Sequence, residues 1–424
     1  MHGYIPRIID AELDELLGAT PAVAIDGPKG VGKTATGERR AATTFRLDEP
    51  AQRAIAEADP SALLDAPAPI LIDEWQHVPS VWDAVRRAVD RNAAPNRFLL
   101  AGSAVPAQAP AHSGAGRILS VRMRPLALAE RGLGKATVSL RELLAGKRPS
   151  IGGRTALRLP DYAREIVASG LPGLRHHTGR TLRAHLDSYL ARIVQRDFLE
   201  QGHRVRRPET LRRWMAAYAA ATATVTTLDK IRAAATGGDG ETPAKTTVTT
   251  YRDVLQELWV IDSLPGWLPT RNRLSRLALS PKHHLADPAL AARLLGVDEQ
   301  TLITGGKGGS SIPRDGTLFG NLFESLVTLS VRVYAQAAEA RVYHLRERDG
   351  RHEVDLIVER ADQRVVAIET KLSATVDDDD VKHLRWLQER LGDQLLDAVI
   401  VTTGTQAYRR PDGVAVVPAA LLGA

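Results

Sequence analysis

The octapeptide GPKGVGKT at residues 27–34 fits the pattern GxxxxGK[ST]. It stands directly behind the apolar run AVAID and opens a helical segment at Lys33. A strand that ends in a glycine-rich loop and turns into a helix aims several backbone N–H groups and a helix N-terminus at one point, as a phosphate requires. Gly27, Pro28, Lys29, Gly30, Val31, Gly32, Lys33 and Thr34 are therefore the candidate nucleotide-contacting residues. Lys33 is expected to reach the outer phosphates, and Thr34 to place its hydroxyl on Mg2+. A chance glycine-rich turn would carry the same letters, but not the partner that follows. About forty residues on, ILIDEWQ at 70–76 ends an apolar strand in two acids. Asp73 is placed for the magnesium shell and Glu74 to polarise an attacking water, so loop and acids together predict ATP binding and hydrolysis.

The surrounding pattern is consistent with this. Residues 22–126 alternate apolar runs (AVAIDG, TTFRLDEP, PILIDEW, RFLLAGSA, ILSVRMRPL) with helical segments. Val78, Val81, Trp82, Val85 and Val89 form one helical stripe. Near-continuous apolar strands separated by helices predict a parallel sheet covered on both faces. Ser103, closing RFLLAGS, sits where a polar side chain touches the terminal phosphate or its water, or is a plain loop serine. Arg117, after the fourth strand, is a candidate for neutralising phosphoryl charge, with a surface salt bridge as the alternative.

Residues 127–225 are helical in pattern, broken at GLPGL (170–174). Next come TTLDKIRAAA, the polar stretch TGGDGETPAK and TTVTTYRDVLQELWVI, a helix–connection–helix with threonines at the starts, as in helix-turn-helix units. Thr246, Thr247, Thr250 and Arg252 are candidate DNA-facing residues. Arg204, Arg206, Arg207, Arg212 and Arg213 form a basic cluster suited to phosphates; the alternative is helices that only pack between two α/β units. Charge placement favours the middle as a docking surface, because residues 201–300 hold 14 basic and 10 acidic side chains, whereas 351–424 hold 9 and 13. Residues 303–316, ITGGKGGSSIPRDG, read as a linker.

The last part is again α/β. DLIVERADQRVVAIETKL at 355–372 reads as two strands and a turn, opening on Asp355 and closing on Glu369-Thr370-Lys371. Strand alternation points Glu369 and Lys371 to one side, with Asp355 across the hairpin and Glu324 on the preceding helix. Carboxylates with a nearby lysine suit a metal-dependent phosphodiester cleavage centre. An acid and a lysine two apart are equally the pattern of an edge-protecting salt bridge. The Asp377–Asp380 run counts against strong DNA affinity, or is equally the solvated N-cap of the next helix.

GPKGVGKT, LIDEWQHVPSVWDAVRRAVD, RFLLAGSA and RMRPLALAE together resemble the AAA+-type ATPases of bacteria and archaea that carry a C-terminal domain of unassigned function. LSPKHHLADPALAARLLG at 279–296 resembles their middle region. Lys29 stands where that family usually has Arg, and TGGDGETPAK lengthens a connection that is normally a tight turn. The resemblance implies an α/β protein in parts: a P-loop ATPase core at 1–130, a helical connector at 131–200, a winged-helix-like DNA-binding segment at 201–302 and a restriction-endonuclease-like domain at 317–424. The tail resembles the PD-(D/E)xK nucleases. That likeness implies metal ligation by Glu324, Asp355 and Glu369, with Lys371 catalytic. The cofactors so implied are ATP and Mg2+, with DNA as partner; a second copy of the chain or a protein partner stays open. The other reading is a nucleotide-dependent switch with an inert nuclease-like tail. There are no cysteines, no apolar run long enough to span a membrane and no apolar leader, so a cytoplasmic protein without membrane contact is expected.

Overall fold

The computed structural model describes residues 3–106, 113–236, 242–269, 279–304, 317–347 and 350–424. Its front is a parallel sheet of β1 (Ala22–Asp26), β2 (Thr43–Arg46), β3 (Ile70–Asp73), β4 (Phe98–Gly102) and β5 (Leu119–Arg122), ordered β2-β3-β4-β1-β5. Helices α1 (Ile9–Ala19), α2 (Lys33–Glu38), α3 (Pro50–Ala58) and α4 (Ser80–Arg91) lie along the same stretch. The inner strands β1, β3 and β4 are apolar because both faces are covered, whereas the edge strands β2 and β5 are partly exposed. Ala24, Ile72 and Leu100 pack with Trp82 and Val85 of α4, while Val23, Leu71 and Leu99 pack with Leu13 of α1. Parallel strands put all their C-terminal ends at one edge. The register pairs Asp26 with Gly102 and Asp73 with Ala101, so the loop after β1 and the acids after β3 meet across the end of β4.

The middle is helical, with Leu159–Val167, Gly179–Arg192, Pro208–Ala220, Leu228–Ala234 and Lys245–Glu257 among its helices. Helix Gly179–Arg192 runs on into a π-helical turn, Ile193–Asp197. The connection between Leu228–Ala234 and Lys245–Glu257 falls partly outside the described residues, at 237–241, as does most of the expected linker, at 305–316.

The rear is a mixed sheet whose inner strands are likewise buried on both faces. It comprises β7 (Gly266–Trp267), β8 (Arg341–Arg346), β9 (Glu353–Glu359), β10 (Val365–Lys371), β11 (Leu395–Thr402), β12 (Tyr408–Arg409) and β13 (Ala415–Pro418), ordered β12-β13-β11-β10-β9-β8-β7. The expected hairpin is β9–β10, antiparallel; β10–β11 and β11–β13 are parallel. Two pairings cross the segment boundaries expected from sequence. β7 comes from the middle, and β6 (Val138–Ser139) pairs with β14 (Leu422–Gly423) at the chain's end. One apolar core accordingly runs from Ala104 to Leu422.

A long helix, Thr317–Ala337, joins front and rear. Its Ser330 accepts from Leu128 N at 3.1 Å and its Tyr334 hydroxyl from Ala129 N at 3.0 Å. Beside it, buried Asp262 pairs with Arg122 (3.4 Å), Arg124 (2.8 Å) and Arg332 (3.1 Å). Burial alone would raise this carboxyl, but three guanidinium groups hold it well below the carboxylate range. Among the described residues no helix is long and apolar enough to cross a membrane.

Candidate functional site

Two residues set the shape of the loop after β1. A Cβ at Gly27 would stand 2.2 Å from the Met123 carbonyl oxygen, so only glycine lets β1 and the segment after β5 run this close. Gly32, at φ +105°, turns the chain into α2 through a conformation that favours glycine. The loop is braced from outside by Arg7, which donates to the Val31 carbonyl at 2.8 Å and to Glu130 at 3.1 Å.

Inside the loop, Lys33 is buried and its ammonium donates to the carbonyl oxygens of Gly27 (2.8 Å) and Pro28 (3.0 Å). Burial pushes this lysine down to about 8, against the pull of Glu74, Asp73 and Asp26. The Thr34 hydroxyl donates to Asp73 Oδ2 at 2.8 Å, and the other Asp73 oxygen is buried without a partner. Burial pushes Asp73 up to about 6, with the Thr34 bond opposing. An Mg2+–nucleotide fits this arrangement. Thr34 and the unpartnered Asp73 oxygen would hold the metal side, and the loop amides with Lys33 the phosphates.

Glu74 has φ 53°, a left-handed backbone that costs a non-glycine residue about 1 kcal/mol. Such strain gathers where a side chain must be aimed. Here Ser103 donates to Glu74 Oε2 at 2.7 Å, and Gln76 Nε2 contacts the same oxygen and Ser103 Oγ (3.1 Å). Ser103 thus orients Glu74. Gln76 was not foreseen, although it stands two residues beyond Glu74 in DEWQ. Exchanging Glu74 for Gln should leave nucleotide affinity within about twofold while slowing turnover about a hundredfold, read by calorimetry and phosphate release. Equal turnover in both proteins would remove Glu74 from its role.

Beside Gly32 lies a cavity of about 480 Å3 lined by Tyr4, Ile5, Met123, Pro172 and His176. It suits a base and ribose; no motif marks it, because four chain segments build it. Arg117 is not brought here. It precedes β5, and in a parallel sheet the start of a strand lies at the edge opposite the loop. Its guanidinium pairs with Asp90 of α4 at 2.9 Å, the surface salt bridge allowed for above.

Lys29, at the crest of the loop, reaches into the helical middle. Its ammonium bonds Asp197 at 2.7 Å and Glu200 at 3.1 Å, and its carbonyl accepts from the Tyr189 hydroxyl at 3.2 Å. Asp197 closes the π-helical turn.

The rear acids do come together, but around a residue not foreseen. The β9–β10 register continues to set Asp355 opposite Glu369, and Glu324 approaches from the long helix. At their centre stands the ammonium of Lys282, buried, at 2.8 Å from Glu324, 3.0 Å from Glu353 and 3.0 Å from Asp355. Burial would lower Lys282, but Asp355, Glu324 and Glu353 outweigh it and hold the lysine charged. The second Asp355 oxygen accepts from Thr370 N (2.9 Å) and Thr370 Oγ1 (2.8 Å). Glu369, raised by burial and by Asp355, pairs with Lys371 at 3.3 Å. Burial and Asp355 push Glu324 up to about 8.

Of the expected metal ligands, Glu324 and Asp355 thus share the ammonium of Lys282, while Glu369 keeps one buried oxygen, Oε2, without a partner. Burial and mutual repulsion raise Glu324 and Glu369, the strain that a cation among these acids relieves. Among the described residues no group of three or more His, Asp or Glu side chains is arranged to hold a metal ion. Lys371 stands as a salt-bridge partner of Glu369 and, at 3.8 Å, of Asp380. The Asp377–Asp380 run does not cap the following helix, whose N-cap is Val381. Asp378 instead pairs with Arg385 (3.0 Å) and contacts Arg410. Lys282 carries one faint sequence signal, a lone lysine within LSPKHHL.

A family model described as an AAA domain matches residues 19–132, and two domains of unknown function, DUF8612 and DUF4143, match 159–301 and 319–422. Two curated relatives, the uncharacterized proteins Mb2031c of Mycobacterium bovis and Rv2008c of Mycobacterium tuberculosis, are each 29% identical over 299 residues, 68% of this chain. The match covers 59% of each relative, so the chain spans about three fifths of their length. A solved structure, the Walker-type ATPase PABY2304 of Pyrococcus abyssi, covers 67% of this chain and 94% of its own at 15% identity and TM-score 0.39. The front of this chain, over residues 19–132, is similar to AAA domains.

Proposed function

We propose that this chain binds and hydrolyses ATP with Mg2+, and that the state of its phosphate site is passed through Lys29 to a nucleic-acid-contacting helical middle. In this reading the rear sheet is a scaffold without nuclease activity. The bound Mg2+–nucleotide supplies the electrophilic phosphorus and neutralises the charge that spreads over its oxygens. The protein's own part is positional. Loop amides and the N-terminus of α2 grip the phosphates, and Lys33 exchanges two carbonyl partners for phosphate oxygens. Glu74, aimed by Ser103 and Gln76, orients the attacking water and takes its proton. The cavity at Tyr4, Met123 and Pro172 takes the base.

The observation that carries the coupling is the Lys29 bridge to Asp197 and Glu200. A terminal phosphate arriving within reach competes for the same ammonium. The π-helical turn that Asp197 closes is a kind of irregularity found often at sites that must rearrange. The switch reading with an inert tail is preferred over a nuclease because Lys282 fills the acid cluster.

The test is ATP turnover with and without DNA, for the native chain and an Asp197→Asn/Glu200→Gln variant. The native protein should turn over ATP faster with DNA. The variant should keep its DNA-free rate and lose most of the acceleration. Unchanged acceleration in the variant would break the Lys29 route; no turnover by the native protein under any condition would end the ATPase reading itself.

A further inference from the structure

A groove of about 820 Å3 opens beyond the Lys29 bridge, between Gly202–Thr210 and Thr242–Tyr251. Arg204, Arg206, Arg207 and Arg213 line it. Three of these, Arg204, Arg206 and Arg213, are exposed and make no ion pair or hydrogen bond among the described residues. Exposed arginines without a partner among the described residues also stand elsewhere, as at Arg87, Arg91 and Arg180, but here three of them line one groove. One acid, Glu209, stands among the arginines. Unpaired guanidinium groups held side by side repel one another, so their convergence favours an anion between them.

A second, independent feature lies at the same place. The helices Pro208–Ala220 and Lys245–Glu257, 13 residues each, both begin at the groove wall, and neither N-terminus has a side-chain cap. Arg207 and Ala244 occupy the N-cap positions, where Ser, Thr, Asp or Asn would normally satisfy the free N–H groups. Both helix starts bring their positive ends to one cleft; Pro208 has no N–H and Thr210 N donates to the Arg207 carbonyl at 3.1 Å, so the free donors are chiefly those at the start of Lys245–Glu257. The hydroxyls of Thr247 and Thr250 lie along the same wall. The aromatic floor, Phe198 and Tyr251, is buried edge to face at 6.1 Å and offers no ring face for a base. The groove is therefore built for phosphate oxygens and not for bases.

We infer that this groove binds the phosphodiester backbone of a nucleic acid, without reading its sequence. The inference rests on the middle being the nucleic-acid-contacting part, and supplies its site and chemistry. Its geometry differs from a helix-turn-helix reader. Such a helix must project its N-terminal residues into a major groove, whereas here the start of Lys245–Glu257 is walled by the segment around Arg204 and Arg206. Position gives the groove a use. Phe198, in its lining, directly follows Asp197, so the same short stretch meets the phosphate loop on one side and the arginines on the other.

The experiment is fluorescence anisotropy of the full chain with a labelled mixed-sequence single strand and its duplex, across a salt series, with ATP and inorganic phosphate as competitors. The comparison is Arg204→Ala/Arg206→Ala/Arg213→Ala against a charge-matched Arg87→Ala/Arg91→Ala/Arg180→Ala protein, exposed arginines outside the groove lining. The groove variant should bind at least tenfold more weakly. For a single strand, its log–log salt slope should fall by roughly 2, about 0.7 per arginine lost. The control should bind as the native chain does. Calorimetry with MgATP should be unchanged in both, so a failed nucleotide site is read separately from a failed groove. The inference is overturned if neither strand nor duplex binds at low salt, if both variants weaken equally, or if free phosphate or ATP alone displays the dependence on these arginines.

Discussion

Exchanging Lys33 for Ala is expected to leave no measurable ATP turnover and to weaken nucleotide binding, while the protein stays at least as stable as before. The two halves of this expectation have one cause. In the folded chain Lys33 is buried, bonded only to two carbonyl oxygens and pushed down to about 8. It is a cation held ready in a place poorly suited to it, which electrostatic sites accept for the sake of the ligand. Removing it relieves that burial and deletes a donor aimed at developing phosphoryl charge, worth roughly 10²–10³ in rate for a single preorganised donor. Phosphate release, calorimetry and thermal unfolding on one preparation check this. A variant that hydrolyses ATP normally would dismantle the phosphate-site assignment; one that unfolds would show Lys33 to be structural.

Exchanging Lys282 for Met should behave in the opposite way. Here the lysine is the counter-ion of a buried acid cluster, and removal leaves Glu324 and Asp355 buried without a cation. Breaking a buried pair from one side costs about 3–5 kcal/mol. The loss should be read as an earlier urea midpoint with little change in slope. Divalent cations should then recover part of it in the variant and none in the native protein, because the vacated centre is ringed by Glu324, Glu353 and Asp355. Native-like stability in Lys282→Met, or equal response of both proteins to Mn2+, would contradict the view that this ammonium stands in for a metal. If instead the native chain cut DNA with Mg2+ and Glu369→Ala stopped it, the scaffold reading of the rear sheet would fall.

Local pattern decided what could be read in advance. Gly27–Thr34, Asp73 and Glu74 were legible because each is tied to its own strand end, and strands of this type place their ends at one edge. Arg117 misled because nearness in sequence to β4 says nothing of which edge a residue occupies; a parallel return carries it to the far side. Gln76 was within reach of inspection. Tyr4, Met123 and Pro172 were not, since they share a cavity only after three stretches of chain have packed.

The amino-acid order by itself determined the phosphate loop, its acids and the alternation of strand and helix around them, because hydrogen-bond geometry and side-chain period act over a few residues. Only the tertiary structure decided that Lys282 meets acids 42 and 73 positions away, that Lys29 is held by Asp197, and that two helix starts converge on Arg204 and Arg206. Charges act through space with a strength set by distance and burial, and neither quantity exists until the chain has folded.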